Sequence, residues 1–515
     1  MLFNSFGFLF LFLPVTALGF FGLARISQRL AAGWLAAASL FFYGYWDLTY
    51  IPLLLASIGV NYAAGYHIGH TQGASRRITL VLSVGVNLLF LAYFKYADFF
   101  LDSVAHLSGA DIARLNILLP VGISFFTFTQ IAFLVDTYQD KVKEYRFVHY
   151  LLFVTYFPHL IAGPVLHHKE MMPQFAADAT YRPSSSNLAV GLSIFAIGLA
   201  KKVLVADQLA PLAGFVFDNQ EQPSLILAWG GVLAYAFQLY FDFSGYSDMA
   251  IGLSRIFGIR LPLNFNSPYK AASIIEFWRR WHMTLSRFLR DYLYIALGGN
   301  KRGPVRRYGN LMATMVLGGL WHGAGANFVI WGCLHGVYLM INHAWMAICR
   351  ALDLNTGSRA WNIFSVALTF GAVCVAWVFF RSSDLGHAMT IVRGMFGAYG
   401  VGLPSAVGNQ LGQLGRLAEQ AGVEFYMGGG SRFVQTWSWV ATAAVLAFLL
   451  PNTQQIMRRF SPALDYVEVP DVQRPTRSLR LTWQPSTGWA TAIGLLGVAC
   501  LLSLSRPAEF LYFQF

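Results

Sequence analysis

The stretch NLMATMVLGGLWHGAGANFVIWGCLHGVYLMINHAW, residues 310–345, decides the fold class of this chain. It contains no Asp, Glu, Lys or Arg, and it holds two long apolar runs on either side of a break at Trp321, His322 and Gly323. A helix needs about 20 apolar residues to cross the roughly 30 Å hydrocarbon core of a bilayer. The stretch therefore predicts two membrane helices with irregular backbone between them, which a membrane tolerates only where protein surrounds it.

The composition of the whole chain supports a membrane protein. Of 515 residues, 56% are hydrophobic, 16% are aromatic and only 12% are charged, about half the charge of a soluble protein. This excludes a soluble nucleic-acid binder and a disordered chain, and the four cysteines lie in or beside apolar runs rather than in a disulfide framework. The 36 Lys and Arg against 24 Asp and Glu are explained first by positive-inside loops. We expect an all-α polytopic membrane protein embedded in the lipid bilayer, with no nucleic-acid partner.

Similar apolar stretches predict eleven to thirteen transmembrane or re-entrant helices. The first run, 2–23, is followed by Arg25 and Arg29, so an uncleaved first helix with its N-terminus outside is expected. The further candidates are 31–46, 50–66, 78–95, 117–135, 148–166, 188–206, 225–241, 309–321, 326–347, 362–380, 437–450 and 489–505. Clusters of basic residues mark the expected cytoplasmic loops: Arg76 and Arg77, 141–146, 301–307, Arg458 and Arg459, and 474–480.

Two polar segments interrupt the apolar pattern before the break at His322. The string QLYFDFSGYSDMAIGLSR, 238–255, places Asp242 at the end of an apolar run, where it either marks a functional site or ends a helix and pairs with Arg255 or another basic group. In IIEFWRRWHMTLSRFLRDYLYIAL, 274–297, helical spacing predicts one interfacial helix with an aromatic face that includes His282. His282 is read either as a structural or as a catalytic histidine.

Histidine suits proton transfer at neutral pH. His322 is flanked by Gly323 inside an apolar stretch, where the backbone can open around a substrate; the alternative is a hydrogen bond to a neighbouring helix. His335 is read as structural, as are His67 and His70, whose spacing offers no third metal ligand. For His159, His167 and His168, beside the Gly-Pro break of IAGPV, a binding role and an ordinary loop remain open.

Six ordered strings resemble the membrane-bound O-acyltransferase family, and specifically its bacterial branch that exports acyl groups. They are LPVGISFFTFTQIAFLVDTY (119–138), YFPHLIAGPVLHHKEMMPQF (156–175), GLAKKVLVAD (198–207), QLYFDFSGYSDMAIGLSRIFGIRLPLNFNSPY (238–269), FWRRWHMTLSRFLRDYLY (277–294) and GGLWHG (318–323). The resemblance implies a ring of helices around a thin central region with a funnel. It also implies three parts: N-terminal helices in 1–118, a catalytic core in 119–347, and C-terminal helices with surface loops in 348–515.

The resemblance also implies residue roles. The family's invariant histidine corresponds to His322, and its second position, a His or Asn, corresponds to His282. These are the expected catalytic residues, with His322 as general base and His282 orienting or polarising the carbonyl. Residues expected to line the donor or substrate site are Trp321, Asn327, Arg279, Arg280 and Asp242.

By resemblance, the expected reaction moves acetyl groups across the bacterial inner membrane. The expected donor is acetyl-CoA, acting as a co-substrate, with no bound cofactor and no metal. The favoured acceptor is an exopolysaccharide, alginate first, reached through periplasmic acetyl-accepting proteins. The alternatives are cellulose, peptidoglycan or, with D-alanyl as the transferred group, teichoic acid. A non-enzymatic transporter is the rival from another class, but the chain shows no pair of related halves.

Overall fold

The computed structural model describes residues 1–142, 146–161, 163–219, 221–464, 466, 481–504 and 511, so the basic cluster expected at 474–480 lies outside the described residues. The N-terminal part is helical up to Ser108 apart from short connecting turns. A π-helical turn, Phe8–Phe12, leads into the first of four helices: α1 (Leu13–Ala24), α2 (Gln28–Gly44), α3 (Tyr50–His70) and α4 (Gly73–Ser108).

The central part has eleven helices of very different lengths among its described residues. They are α5 (Ile123–Tyr138), α6 (Phe147–Thr155), α7 (Phe157–Leu160), α8 (His168–Ala176), α9 (Ser185–Ala200), α10 (Asp207–Phe217), α11 (Leu225–Ile256), α12 (Ile274–Trp278), α13 (Met283–Phe288), α14 (Gly303–His322) and α15 (Ala326–Ala351). Two π-helical segments, Lys201–Ala206 and Leu289–Tyr294, continue α9 and α13.

The C-terminal part adds further helices and a short parallel ribbon, in which β1 (Val401–Pro404) pairs with β2 (Val423–Tyr426). The ribbon and three helices lie within the polar segment 382–435. The helices are α16 (Arg359–Arg381), α17 (Leu385–Met395), α18 (Ser405–Leu411), α19 (Gln413–Gln420), α20 (Gly430–Ala444), α21 (Thr453–Ile456) and α22 (Thr487–Ser503).

The prediction of an all-α polytopic membrane protein is confirmed. In the described part of the chain, five helices are long and apolar enough to cross a membrane: Tyr50–His70, Gly73–Ser108, Ser185–Phe217, Leu225–Ile256 and Arg359–Arg381. The other predicted spans form helices that are shorter, broken or less apolar. The candidate 148–166, for example, is divided between α6, α7 and an extended segment, because Pro158 starts a new helix.

Helix α11 is the centre of the fold, and it corrects one expectation. The string at 242–248 does not end a helix, because α11 runs unbroken to Ile256 with nearly every residue of its second half buried. Its close partner is α9: a Cβ on Gly198 would meet the Gly245 carbonyl oxygen at 2.6 Å, and one on Gly252 would meet the Gly191 oxygen at 2.6 Å. Small residues let membrane helices approach at backbone distance, so only glycine fits these contacts.

Buried ion pairs cross the same seam. Lys202 Nζ lies 2.5 Å from Asp242 Oδ1 and 2.8 Å from Asp207 Oδ1, and Lys201 Nζ lies 2.5 Å from Asp248 Oδ2. Asp242 was expected either to be functional or to pair with Arg255 or the nearby basic segment; in the structure its ion-pair partner is Lys202. Both lysines belong to the π-helical segment between α9 and α10, which turns consecutive side chains toward α11.

One of the predicted cytoplasmic clusters contacts the loop that leads to the next. Arg76, in the first turns of α4, donates to the carbonyl oxygens of Thr137 and Tyr138 at 3.1 and 2.8 Å, and it pairs with Asp140 at 2.6 Å. The turn before α4 and the loop after α5 are therefore neighbours, as the positive-inside pattern predicts.

Candidate active site

The predicted break at His322 is present. Helix α14 ends at His322, and Gly323 and Gly325 continue in extended conformation, with φ of −162° and −171°, before α15 begins. A Cβ on Gly323 would lie 2.0 Å from Cε2 of Phe328, so the close approach of that ring requires glycine. The geometry leaves His322 at a helix end rather than within a continuous helix.

Aromatic rings surround the His322 imidazole. Its ring centroid lies 4.9 Å from Trp321, 5.2 Å from Trp331 and 5.1 Å from Phe380, each at a steep angle. The side chain is partly buried rather than fully enclosed. The rings therefore pack around the imidazole, while the residue as a whole keeps partial exposure.

The segment carrying His282 differs from its prediction. Instead of one helix over 274–297, α12 ends at Trp278 and α13 starts at Met283. His282, between them, adopts a left-handed backbone conformation with φ of 42° and ψ of 53°. The expectation of one continuous face was wrong because this left-handed residue redirects the chain, a conformation that costs energy for most residues and that helical spacing cannot reveal.

A neighbouring strand-like segment holds this break open. The Asn266 amide donates to the Arg280 oxygen, and the Met283 amide donates to the Asn264 oxygen, each at 2.9 Å. The Asn264 side chain completes the contact, because its Oδ1 accepts from Thr284 Oγ1 at 2.9 Å and lies 3.1 Å from His282 Nδ1. Sequence analysis missed Asn264, which is eighteen residues away from His282.

These bonds determine the state of the His282 ring. The Asn264 oxygen can only accept, so His282 Nδ1 carries the hydrogen and a neutral ring leaves the lone pair on Nε2. That Nε2 is buried and has no hydrogen-bond partner among the described residues. His282 therefore offers a free acceptor inside the protein.

Trp321 links the two histidines. Its ring centroid lies 4.9 Å from His322 and 6.2 Å from His282, and its Nε1 has no hydrogen-bond partner among the described residues. Buried side-chain polar atoms are usually paired. Unpaired buried polar atoms in this region also include Asn264 Nδ2, Trp278 Nε1, Trp331 Nε1 and Asn327 Oδ1. Such a concentration is suited to binding a polar reactant or water.

His335 lies beyond Trp331, whose ring centroid is 4.8 Å from it and 5.2 Å from His322. It is fully buried, and neither ring nitrogen has a partner among the described residues. Phe277 stacks on it at 6.0 Å. The structure brings His335 near the site without assigning it a role.

The other predicted lining residues take separate positions. Asn327, in the first turn of α15, donates from Nδ2 to the Ser382 oxygen at 2.8 Å. Arg280 pairs with Glu276 at 2.5 Å, whereas Arg279 is exposed. Asp242 pairs with Lys202 across the seam, while the next residue, Phe243, faces the His282 ring at 4.9 Å. The histidines and Trp321 come together, and Asp242 faces elsewhere.

Three of the other histidines contact residues outside the group around Trp321. His159 Nε2 lies 2.9 Å from the Phe153 oxygen, His167 Nδ1 lies 3.0 Å from Tyr292 Oη, and His70 Nδ1 lies 2.7 Å from the Tyr66 oxygen. In the described part of the chain, no group of three or more His, Cys, Asp or Glu side chains could hold a metal ion.

Two residues of α4 that contact the end of α14 were also not predicted from the sequence. Lys95 Nζ donates to the carbonyl oxygens of Trp321 and His322, the latter at 3.2 Å, and Tyr96 Oη donates to the Leu320 oxygen at 2.6 Å. The sequence does carry a signal for Lys95. It is the first charged residue after Arg77 in α4, and a charged residue within an apolar membrane segment is a candidate functional residue.

Comparison with known proteins gives a consistent result. The sequence model of the membrane-bound O-acyltransferase family matches residues 88–383. The chain is 45% identical to the Helicobacter pylori "Peptidoglycan O-acetyltransferase" over 78% of this chain and 81% of that protein. It is 40% identical to the Pseudomonas putida "Probable alginate O-acetylase" over the full length of both, and 27% identical to the Streptococcus thermophilus "Teichoic acid D-alanyltransferase" over 50% and 68% of the two chains.

Proposed function

The chain belongs to the membrane-bound O-acyltransferase family and is an acyltransferase that crosses the membrane several times; from this premise we propose that it transfers acetyl groups for O-acetylation of an exopolysaccharide. The donor is acetyl-CoA on the cytoplasmic side, and the immediate acceptor is a hydroxyl of a periplasmic partner protein or of the polymer itself. The protein acts in the inner membrane of a bacterium. Alginate is the favoured polymer because an alginate O-acetylase matches this chain over its full length.

The proposal rests on one observation. His282 and His322 both pack against the Trp321 ring, and buried polar atoms without a hydrogen-bond partner among the described residues lie around them. A nitrogen of His322 takes the proton of the acceptor hydroxyl as its oxygen attacks the thioester carbonyl. The tetrahedral oxyanion accepts hydrogen bonds from unpaired donors such as Trp321 Nε1. When the C–S bond breaks, the thiolate takes the proton back from His322, leaving an acetyl ester and free CoA.

The role of His282 follows from its tautomer. A neutral ring with its hydrogen on Nδ1 cannot donate from Nε2 to a carbonyl, so it does not polarise the thioester. It orients the donor by accepting a hydrogen bond, for which an amide N–H of the CoA arm is suited. Arg279 is exposed beside this segment, and its guanidinium has the charge and the hydrogen-bond donors to bind the CoA phosphates.

The experiment measures acetyl-ester content of the secreted polymer in a deletion strain that carries wild type, His322→Ala or His282→Ala. We expect both variants to reach the membrane at wild-type levels and to leave the polymer without ester above background. Normal acetylation by His322→Ala would contradict the proposal.

A second candidate acceptor is peptidoglycan, because the peptidoglycan O-acetyltransferase relative is 45% identical to this chain. The same strains distinguish the two. Ester lost from isolated peptidoglycan rather than from the secreted polymer would replace the proposed acceptor and keep the acetyl-transfer chemistry.

A further inference from the structure

Helix α14 ends inside the protein, and this end needs hydrogen-bond donors. The last four carbonyl groups of any helix have no partner within the helix, and within a membrane each unpaired group is costly. Three of these carbonyls, at Leu320, Trp321 and His322, are satisfied by two consecutive residues of α4. The donors are Tyr96 Oη and Lys95 Nζ, which are more than two hundred residues away in sequence.

Lys95 also contributes charge. The C-terminus of a helix carries a partial negative charge, so a cation there is stabilised. Among the described residues, Lys95 forms no ion pair with a carboxylate, and its Nζ lies 5.8 Å from the Trp321 ring centroid. The end of α14 is therefore the principal electrostatic partner of this lysine.

We propose that Lys95 and Tyr96 form a clamp that positions His322 for acyl transfer; this inference rests on the proposed function. Both residues donate their hydrogen bonds to backbone carbonyls of α14, so both are positioning residues. By fixing the carbonyls of the final turn, the clamp sets the direction in which the His322 side chain leaves the helix. It also lets α14 stop beside Gly323, where the substrate site opens.

The test uses permeabilised cells that carry the full chain and incorporate labelled acetyl-CoA into polymer esters. Initial rates over a range of donor concentrations give apparent kcat and KM per unit of membrane protein. We expect Lys95→Met to lower kcat by roughly a hundredfold, the effect of a small misplacement of a catalytic group, while the KM for acetyl-CoA changes little. Lys95→Arg, which keeps the charge and the donors, is expected to restore much of kcat.

A matched control comes from the same helix. Asn87 of α4 is buried and exchanges side-chain hydrogen bonds with Asn61 at 2.6 and 3.2 Å. Asn87→Leu removes buried polar contacts about two turns before Lys95. We expect this variant to lower thermal stability without changing kcat per unit of folded protein, because its contacts do not reach α14.

The outcomes separate the clamp from the proposed function. Wild-type kcat in Lys95→Met, with His322→Ala inactive, would overturn the clamp and leave the function intact. If Lys95→Met fails to accumulate in the membrane, Tyr96→Phe decides: a fall in kcat at unchanged KM supports the clamp, and an unchanged kcat refutes it. Activity in His322→Ala would remove both inferences.

Discussion

The Nδ1 of His282 lies 3.1 Å from the Oδ1 of Asn264, which also accepts from the Thr284 backbone amide at 3.4 Å. This contact turns the free Nε2 of His282 into an acceptor. Both His282 and His322 pack on Trp321, and the contact with Asn264 determines which nitrogen of His282 can accept.

Removing the acceptor at Asn264 should impair catalysis more than folding. In Asn264→Ala, the His282 ring loses its orientation and its fixed tautomer, and we expect polymer acetylation to fall on the order of a hundredfold. The measurement is the initial rate of ester formation per unit of membrane protein. Thr284→Val is the control, because it removes a hydroxyl bonded to Asn264 and keeps the His282 contact; its loss should be well below that of Asn264→Ala. Equal rates in the two variants would contradict the tautomer argument.

The left-handed backbone at His282 predicts a separation of stability from activity. Alanine is strained there by about 1–2 kcal/mol, whereas glycine is not. We therefore expect His282→Gly to melt at a higher temperature than His282→Ala in a thermal-shift assay in detergent. Both should lack activity, since neither carries a ring nitrogen. A more stable alanine variant would show that the backbone strain is absent.

The contact between Gly323 and Phe328 predicts a suppressor. A Cβ at position 323 would overlap the Phe328 ring, and overpacking of this kind costs about 1–3 kcal/mol. Gly323→Ala should lower both acetylation and thermal stability. Adding Phe328→Ala should restore part of the activity because it removes the overlapped atoms. No recovery in the double variant would mean that Gly323 is required for another reason.

The pairing of Asp242 with Lys202 provides a test of the predicted site role of Asp242. Lys202→Met leaves buried carboxylates without their cation, so we expect a loss of about 3–5 kcal/mol and low membrane levels. Asp242→Asn leaves Lys202 paired with Asp207, and it should retain near-normal acetylation and most of its stability. An abundant but inactive Asp242→Asn protein would instead support a catalytic role for Asp242.

The sequence alone predicts those features of the site that depend only on residues close together in the chain. The glycines around His322 predict a helix break because their backbone freedom is a property of the residue itself, and α14 does end there. By contrast, the break at His282 depends on backbone hydrogen bonds from 264–266. Lys95 and Asn264 act through contacts that no periodicity encodes. Long-range pairing of this kind explains why the fold class could be predicted from the sequence, whereas the contacts of Lys95 and Asn264 could not.

The positive φ at His282 also restricts evolution. Asparagine, aspartate and histidine tolerate the left-handed region better than other residues with side chains, and of these, asparagine and histidine can present a neutral polar group to a substrate. A lineage that loses the imidazole can therefore change to asparagine with little backbone cost. Glutamine or serine would have to overcome the conformational penalty as well. The backbone shape therefore limits which residues can occupy this position as strongly as the chemistry does.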